Sequence, residues 1–129
     1  MKLTKKWNLP FPVATVYDAW VASDTVIPPA TRMEINPVVG GCYRLIMETP
    51  DYRSTNEGEF LVVVPESRLV YTWEWNRDGQ VTTIDVRFAP ADGGCSLTLV
   101  HDGFEHQENA DNHAAGWDAY VDGLIKHLS

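Results

Sequence analysis

The stretch from Leu97 to Leu128, LTLVHDGFEHQENADNHAAGWDAYVDGLIKHL, decides the fold. Its first residues alternate as a strand does, Asp102-Gly103 bends the chain, an acidic polar loop follows, and the rest has a helical period. At roughly 100° per residue, Ala110, Ala114, Trp117, Val121, Leu124 and Leu128 fall on one stripe, while Asp111, Ala115, Asp118, Asp122 and Lys126 take the other side. A helix that is apolar on one side needs a surface to cover, so the strands before it should form a sheet that closes on it.

Two residues go against that helix. Gly116 and Gly123 each cost about 1 kcal/mol relative to Ala in a helix interior. They stand seven residues apart, so they share one flank of the apolar stripe beside Tyr120 and His127. Either a strand backbone passes close to both, or their missing side chains leave room for a ligand. The expectation is an open cavity at Gly116, nearer the helix start, and packing at Gly123.

Upstream, Leu3, Lys5, Trp7 and Leu9 alternate with polar residues as a strand does; Pro10 and Pro12 end it. Val13, Val16, Tyr17 and Trp20 then repeat at helical spacing to about Ala22, and Pro12 suits the first helical position. Val26-Ile27-Pro28-Pro29 allows no more than a single turn. From Arg32 the period becomes two. Met33 and Ile35 mark one strand, Gly40-Gly41 a turn, and Tyr43, Leu45 and Met47, alternating with Arg44, Ile46 and Glu48, the next. Thr49 to Asn56 reads as a polar loop, and Glu59 to Val64 as a strand closed by Pro65-Glu66-Ser67. Leu69, Tyr71, Trp73 and Trp75 form a ladder on one face, Asn76-Arg77-Asp78-Gly79 is a hairpin turn, and Ile84, Val86 and Phe88 alternate before Asp92-Gly93-Gly94. About seven strands result, six of them consecutive and antiparallel. The class is α+β, a single domain over residues 1–129 with helices on one face of a curved sheet.

A net charge of −8 argues against nucleic acid or an anionic membrane as partner. No apolar run approaches the ~20 residues that span a bilayer, and MKLTKKWNLP lacks the apolar core of a signal peptide, so a cytoplasmic protein is expected. Cys42 and Cys95 lie far apart without ligand spacing and are expected to be buried or half-buried thiols. The histidines His101, His106, His113 and His127 fit no metal spacing, so neither metal nor organic cofactor is expected; His113, beside Trp117 and Tyr120, faces the interior. Glu34, Glu48, Glu59 and Glu74 lie on strands, with Glu74 opposite the aromatic ladder and hence outward. No nucleophile elbow or phosphate loop occurs, and no catalytic constellation is identifiable.

The order of elements resembles the helix-grip fold of the START and birch-pollen-allergen-like (SRPBCC) superfamily, and within it the branch of heat-shock protein 90 ATPase activator homologues. The phrases that carry the resemblance begin with Val38-Val39-Gly40-Gly41-Cys42-Tyr43-Arg44-Leu45, Glu57-Gly58-Glu59-Phe60 and Pro65-Glu66-Ser67-Arg68-Leu69-Val70-Tyr71-Thr72-Trp73. They continue in Gly93-Gly94-Cys95-Ser96-Leu97-Thr98-Leu99, His101-Asp102-Gly103-Phe104 and Gly116-Trp117, and so cover nearly the whole chain. The resemblance implies a seven-stranded antiparallel sheet wrapped around a long C-terminal helix, with short helices after the first strand. Where the branch usually has a Trp-centred motif closing one end of a cavity, this chain has Asp24-Thr25-Val26-Ile27-Pro28-Pro29-Ala30.

The aromatic side chains exceed what one core needs, and aromatic walls with few polar groups make small-molecule pockets. The candidate cavity residues on the sheet are Tyr43, Met47, Phe60, Tyr71, Trp73 and Trp75. Those after it are Phe104, His113, Gly116, Trp117 and Tyr120. The expected function is to hold a small hydrophobic or aromatic ligand between sheet and helix. The alternatives are a chaperone-interacting module, as the resemblance implies, or a cofactor-free cyclase or hydrolase. The last needs an inward acid–base pair.

Overall fold

The computed structural model describes residues 1–28 and 30–129. β1 (Lys2–Leu9) is followed by α1 (Val13–Val21), then six strands, β2 (Arg32–Ile35), β3 (Cys42–Thr49), β4 (Tyr52–Val64), β5 (Arg68–Trp75), β6 (Thr82–Ala91) and β7 (Gly94–Asp102), and finally α2 (Gln107–Leu128). The strands form one seven-stranded antiparallel sheet in the order β1-β7-β6-β5-β4-β3-β2. Only the step from β1 to β7 is non-sequential, so the N-terminal strand closes the edge beside the last one. A single helix, α1, follows β1 where short helices were expected. Pro12 caps it from outside in extended conformation rather than opening its first turn. Pro29, in the proline-rich segment, lies outside the described residues.

The alternation in the sequence sets the inner face. From β6 and β7, Ile84, Val86, Leu97 and Leu99 are wholly buried against the helices. α1 lies on the same two strands, with Tyr17 edge-on to Phe88 at 5.3 Å between ring centroids. α2 buries Ala110, Trp117, Val121 and Leu124 of the predicted stripe, with Ala114 and Leu128 half-buried. Trp20 of α1 stacks on Trp117 of α2 at 6.0 Å, which ties the two helices together.

Four expectations need correction. The polar stretch Thr49 to Asn56 is not a loop: only Pro50-Asp51 turns, and Tyr52 to Asn56 pair along β3 as the first half of β4. Its inner positions, Ser54 and Asn56, are polar yet buried, which hid the two-residue period. Asp118 is not simply on a solvated side. Lys5 and Trp7, inner residues of edge strand β1, donate to its two carboxylate oxygens at 2.7 and 3.1 Å and hold its pKa below the ordinary value. The thiols split: Cys95 is buried, whereas Cys42, which alternates with inward Tyr43 and pairs with exposed Glu59, faces outward. Finally, neither α2 glycine touches a strand backbone. A Cβ on Gly123 would stand 2.5 Å from Cγ2 of Ile27, in the segment after α1, while one on Gly116 would meet nothing within 4 Å.

Candidate functional site

The open side of Gly116 faces a cavity of about 370 Å³ between α2 and strands β2, β3 and β5. Its floor is the inner face of the sheet, Met33, Leu45, Met47, Trp73 and Trp75. Its roof is one flank of α2, where Asn112, Gly116, Ala119 and Tyr120 follow one another at helical spacing and His113 and Trp117 point further in. Ile27, Pro28 and Ala30, from the proline-rich segment after α1, close the end. A larger side chain at Gly116 would fill the space, which accounts for a glycine in the middle of a helix.

Behind Trp73, Trp117 and Tyr120, which line both spaces, lies an annex of about 50 Å³ whose remaining wall includes Trp20, Ile35, Tyr43, Phe60 and Tyr71. Its geometry depends on β4. Gly58 stands opposite Tyr43 on the neighbouring strand, with Thr72 against it on the other side. The missing side chain lets the Tyr43 hydroxyl donate to the Thr72 carbonyl at 2.6 Å, with Asn56 Oδ1 a second acceptor at 3.1 Å. Burial raises the Tyr43 hydroxyl's pKa well above its ordinary value, so it remains a donor. Asn56 is wholly buried, and among the described residues its Nδ2 has no partner.

The polar groups at the inner end form one network. His113 Nδ1 lies 2.8 Å from the Asn109 carbonyl, and its Nε2 accepts from the indoles of both Trp73 (3.3 Å) and Trp75 (3.1 Å). The proton of this neutral ring is therefore on Nδ1. His101 is the opposite tautomer. Its Nδ1 accepts from Trp117 Nε1 at 3.1 Å, so Nε2 carries the hydrogen and donates to Thr82 Oγ1 at 2.7 Å, which in turn reaches the Trp73 carbonyl. His101 is wholly buried; desolvation first, then the facing His113, lowers its pKa to about 3. The two histidines thus lock three tryptophans of the cavity wall in place.

All the sheet candidates therefore border one of two adjoining spaces: Met47, Trp73 and Trp75 the main cavity, Tyr43, Phe60, Tyr71 and again Trp73 the annex. Of the others, His113, Gly116, Trp117 and Tyr120 are roof residues. Phe104 is not. It packs against His101 at 4.4 Å and borders a separate, more polar cleft beyond Trp75 and His113, because the chain between β7 and α2 passes behind that wall. Sequence reading missed Met33 and Leu45 as cavity residues although their alternation was visible, and missed Asn112 and Ala119 because they edge the apolar stripe. It also missed His101, which the run Leu97, Leu99, His101 places inward by parity. Glu34, Glu48 and Glu59 are exposed, and Glu74 accepts from Gly79 N at the hairpin; none enters the cavity. Among the described residues no three His, Cys, Asp or Glu side chains are placed to hold a metal ion, and no helix is long and apolar enough to cross a membrane.

A curved antiparallel sheet gripping a long C-terminal helix over an aromatic cavity is the helix-grip architecture of the SRPBCC superfamily. Residues 10–129 match the family model described as activator of Hsp90 ATPase homolog 1-like protein, and the chain belongs to that family. No curated protein matches it in sequence. Among solved structures it is similar to an AHSA1-like protein from Aeromonas hydrophila (23% identity, 99% of this chain and 92% of that one, TM-score 0.83). It is also similar to proteins from Rhodobacter sphaeroides (18%, 98% and 91%, 0.86) and Mesorhizobium loti (18%, 99% and 96%, 0.85). At these identities the likeness is one of fold.

Proposed function

We propose that the protein binds a small, flat, mostly apolar ligand in the cavity between sheet and α2. The observation that carries this reading is the open flank at Gly116: a helix accepts a glycine there, and no side chain from the sheet comes to fill the space beside it. A cavity of about 370 Å³ lies within the range of small-molecule sites, and its aromatic lining is typical of them. The fixed indoles of Trp73, Trp75 and Trp117 give it rigid walls, while Met33 and Met47 can adapt. Titration with a neutral fluorescent probe such as N-phenyl-1-naphthylamine tests the reading. The wild type should enhance its emission saturably, and Gly116→Leu should abolish the enhancement while remaining folded.

A chaperone-directed role, in line with the family description, is the second reading. It has an apolar surface to work with. Val38 and Val39 are 52% and 67% exposed on a loop bound to β4 through Gly40 N to the Phe60 carbonyl, and Leu61 emerges beside it at the bulge. Val39→Glu should then weaken stimulation of a chaperone ATPase and leave probe binding intact. The cyclase or hydrolase alternative gains nothing from the cavity, whose described walls offer no carboxylate to pair with His113.

A further inference from the structure

The annex contains two phenol hydroxyls with unspent protons. Tyr71, 6% exposed, accepts a hydrogen bond from Trp20 Nε1 at 3.3 Å, and among the described residues nothing accepts its own proton. Tyr120 has no hydrogen-bond partner at all among the described residues, although its ring is held edge-on to Trp20 at 5.2 Å and to Trp117 at 5.8 Å. Tyrosine hydroxyls inside a protein normally find an acceptor; Tyr71 is buried and Tyr120 half-buried, and neither has one among the described residues. Here two stand on opposite walls of one small space, Tyr71 on the sheet and Tyr120 on the helix, both in contact with the same indole.

We infer that the annex is a subsite for a neutral oxygen acceptor, the carbonyl of a ketone- or quinone-type aromatic ligand, held by the hydroxyls of Tyr71 and Tyr120. This deepens the proposed function and rests on it. A carbonyl oxygen has two lone pairs, so it can satisfy both donors at once. The annex, at about 50 Å³, has room for such a group, and it adjoins the main cavity that would hold the ring, sharing Trp117 and Tyr120 with it. Burial raises the pKa of both phenols, so they stay protonated and act as donors. No Lys or Arg lines either space among the described residues, so a carboxylate would be buried without compensation, and no Asp or Glu is there to receive an ammonium. What remains for the annex is an uncharged acceptor.

The test uses two probes of one shape, 2-acetylnaphthalene and 2-isopropenylnaphthalene, which differ only in C=O against C=CH₂. Affinities are measured by tryptophan quenching for the wild type, Tyr71→Phe, Tyr120→Phe and the double variant, and the readout is the ratio of ketone to hydrocarbon affinity. The ratio should fall several-fold in each single variant and about tenfold or more in the double one, as expected for two net hydrogen bonds. The carbonyl stretch of bound ¹³C-labelled ketone should be lowered in the wild type and move back up in the double variant. If the hydrocarbon binds but the ratio is the same in all four proteins, the annex is merely filled by water and the inference fails while the cavity reading survives. If neither probe binds the wild type, the cavity reading fails and takes the inference with it. Should Tyr71→Phe unfold through loss of Trp20's partner, the Tyr120→Phe ratio decides alone.

Discussion

The inner face of the sheet has two halves built from different residues. Toward β6 and β7 it is aliphatic: Ile84, Val86, Leu97 and Leu99 pack against α1 and α2 with no exposure. Toward β3 and β5 it is aromatic, and Tyr43, Tyr71, Trp73 and Trp75 stand between sheet and helix with space left among them. Branched aliphatics interdigitate and close a layer to crystal-like density. Large planar rings held by hydrogen bonds cannot collapse into a neighbouring gap, so an opening beside them persists. α2 follows the same division: it lies against edge strand β1, where Asp118 takes bonds from Lys5 and Trp7, and its Gly116 flank stands over the cavity. One half supplies the stability and the other holds the volume.

Truncation should separate the halves most strongly. Leu99→Ala, in the filled half, should cost roughly 2–5 kcal/mol, and Trp117→Ala, at the junction and bonded to His101, roughly 3–5 kcal/mol. Met47→Ala, half-buried on the cavity floor, should cost less than the roughly 2 kcal/mol at the low end for a buried methionine, because part of its surroundings is already empty. Denaturant melts of the three variants check this. Equal losses at Leu99 and Met47 would erase the distinction.

Acid should act through the junction. The unfolded chain takes up a proton at His101 as pH falls through its ordinary 6.5, whereas the native chain does so only near 3, so acid favours unfolding across that window. Stability should decline toward a slope of about 1.4 kcal/mol per pH unit, one proton's worth. Asp118, Glu57 and Asp85 have lowered pKa values, and their contributions disappear only below about pH 4, the ordinary carboxylate range. Melts between pH 7.5 and 4.5 for wild type and His101→Gln should show the slope in the first only. An identical slope in both would place the titrating group elsewhere.

Much of this was legible beforehand, for reasons that differ by residue. The strand inner faces and the α2 stripe follow from alternation and helical period, which burial enforces directly. Gly116 and Gly123 were visible as violations of helix propensity and were expected to differ, but the packing partner of Gly123 was not legible, because it is Ile27 from a segment with no period of its own. The first half of β4 was illegible because Ser54 and Asn56 are buried and polar, stabilised by the β3 ladder and by Asn76 and Tyr43 rather than by apolar contact. His101 reads as a polar strand end until Trp117 and Thr82 are seen to satisfy both its nitrogens.

The smallest effects sharpen the comparison along a single helix. Gly116→Leu should leave stability unchanged or raise it by up to about 1 kcal/mol, since helix propensity improves and the side chain enters open space. Gly123→Leu should cost roughly 1–3 kcal/mol, because Ile27 must move away. Matched urea melts decide it, and equal destabilisation would remove the helix's support for a cavity.

The central claim, that the aromatic half is a binding site, is tested most directly by following the five tryptophan indole N–H resonances as N-phenyl-1-naphthylamine is titrated into ¹⁵N-labelled protein. The expected result is saturable shifts at Trp73, Trp75 and Trp117, a smaller one at Trp20 behind the annex, and none at Trp7, whose indole is bonded to Asp118 on the β1 side. Indoles that do not move up to the probe's solubility limit, or a shift confined to Trp7, would contradict it.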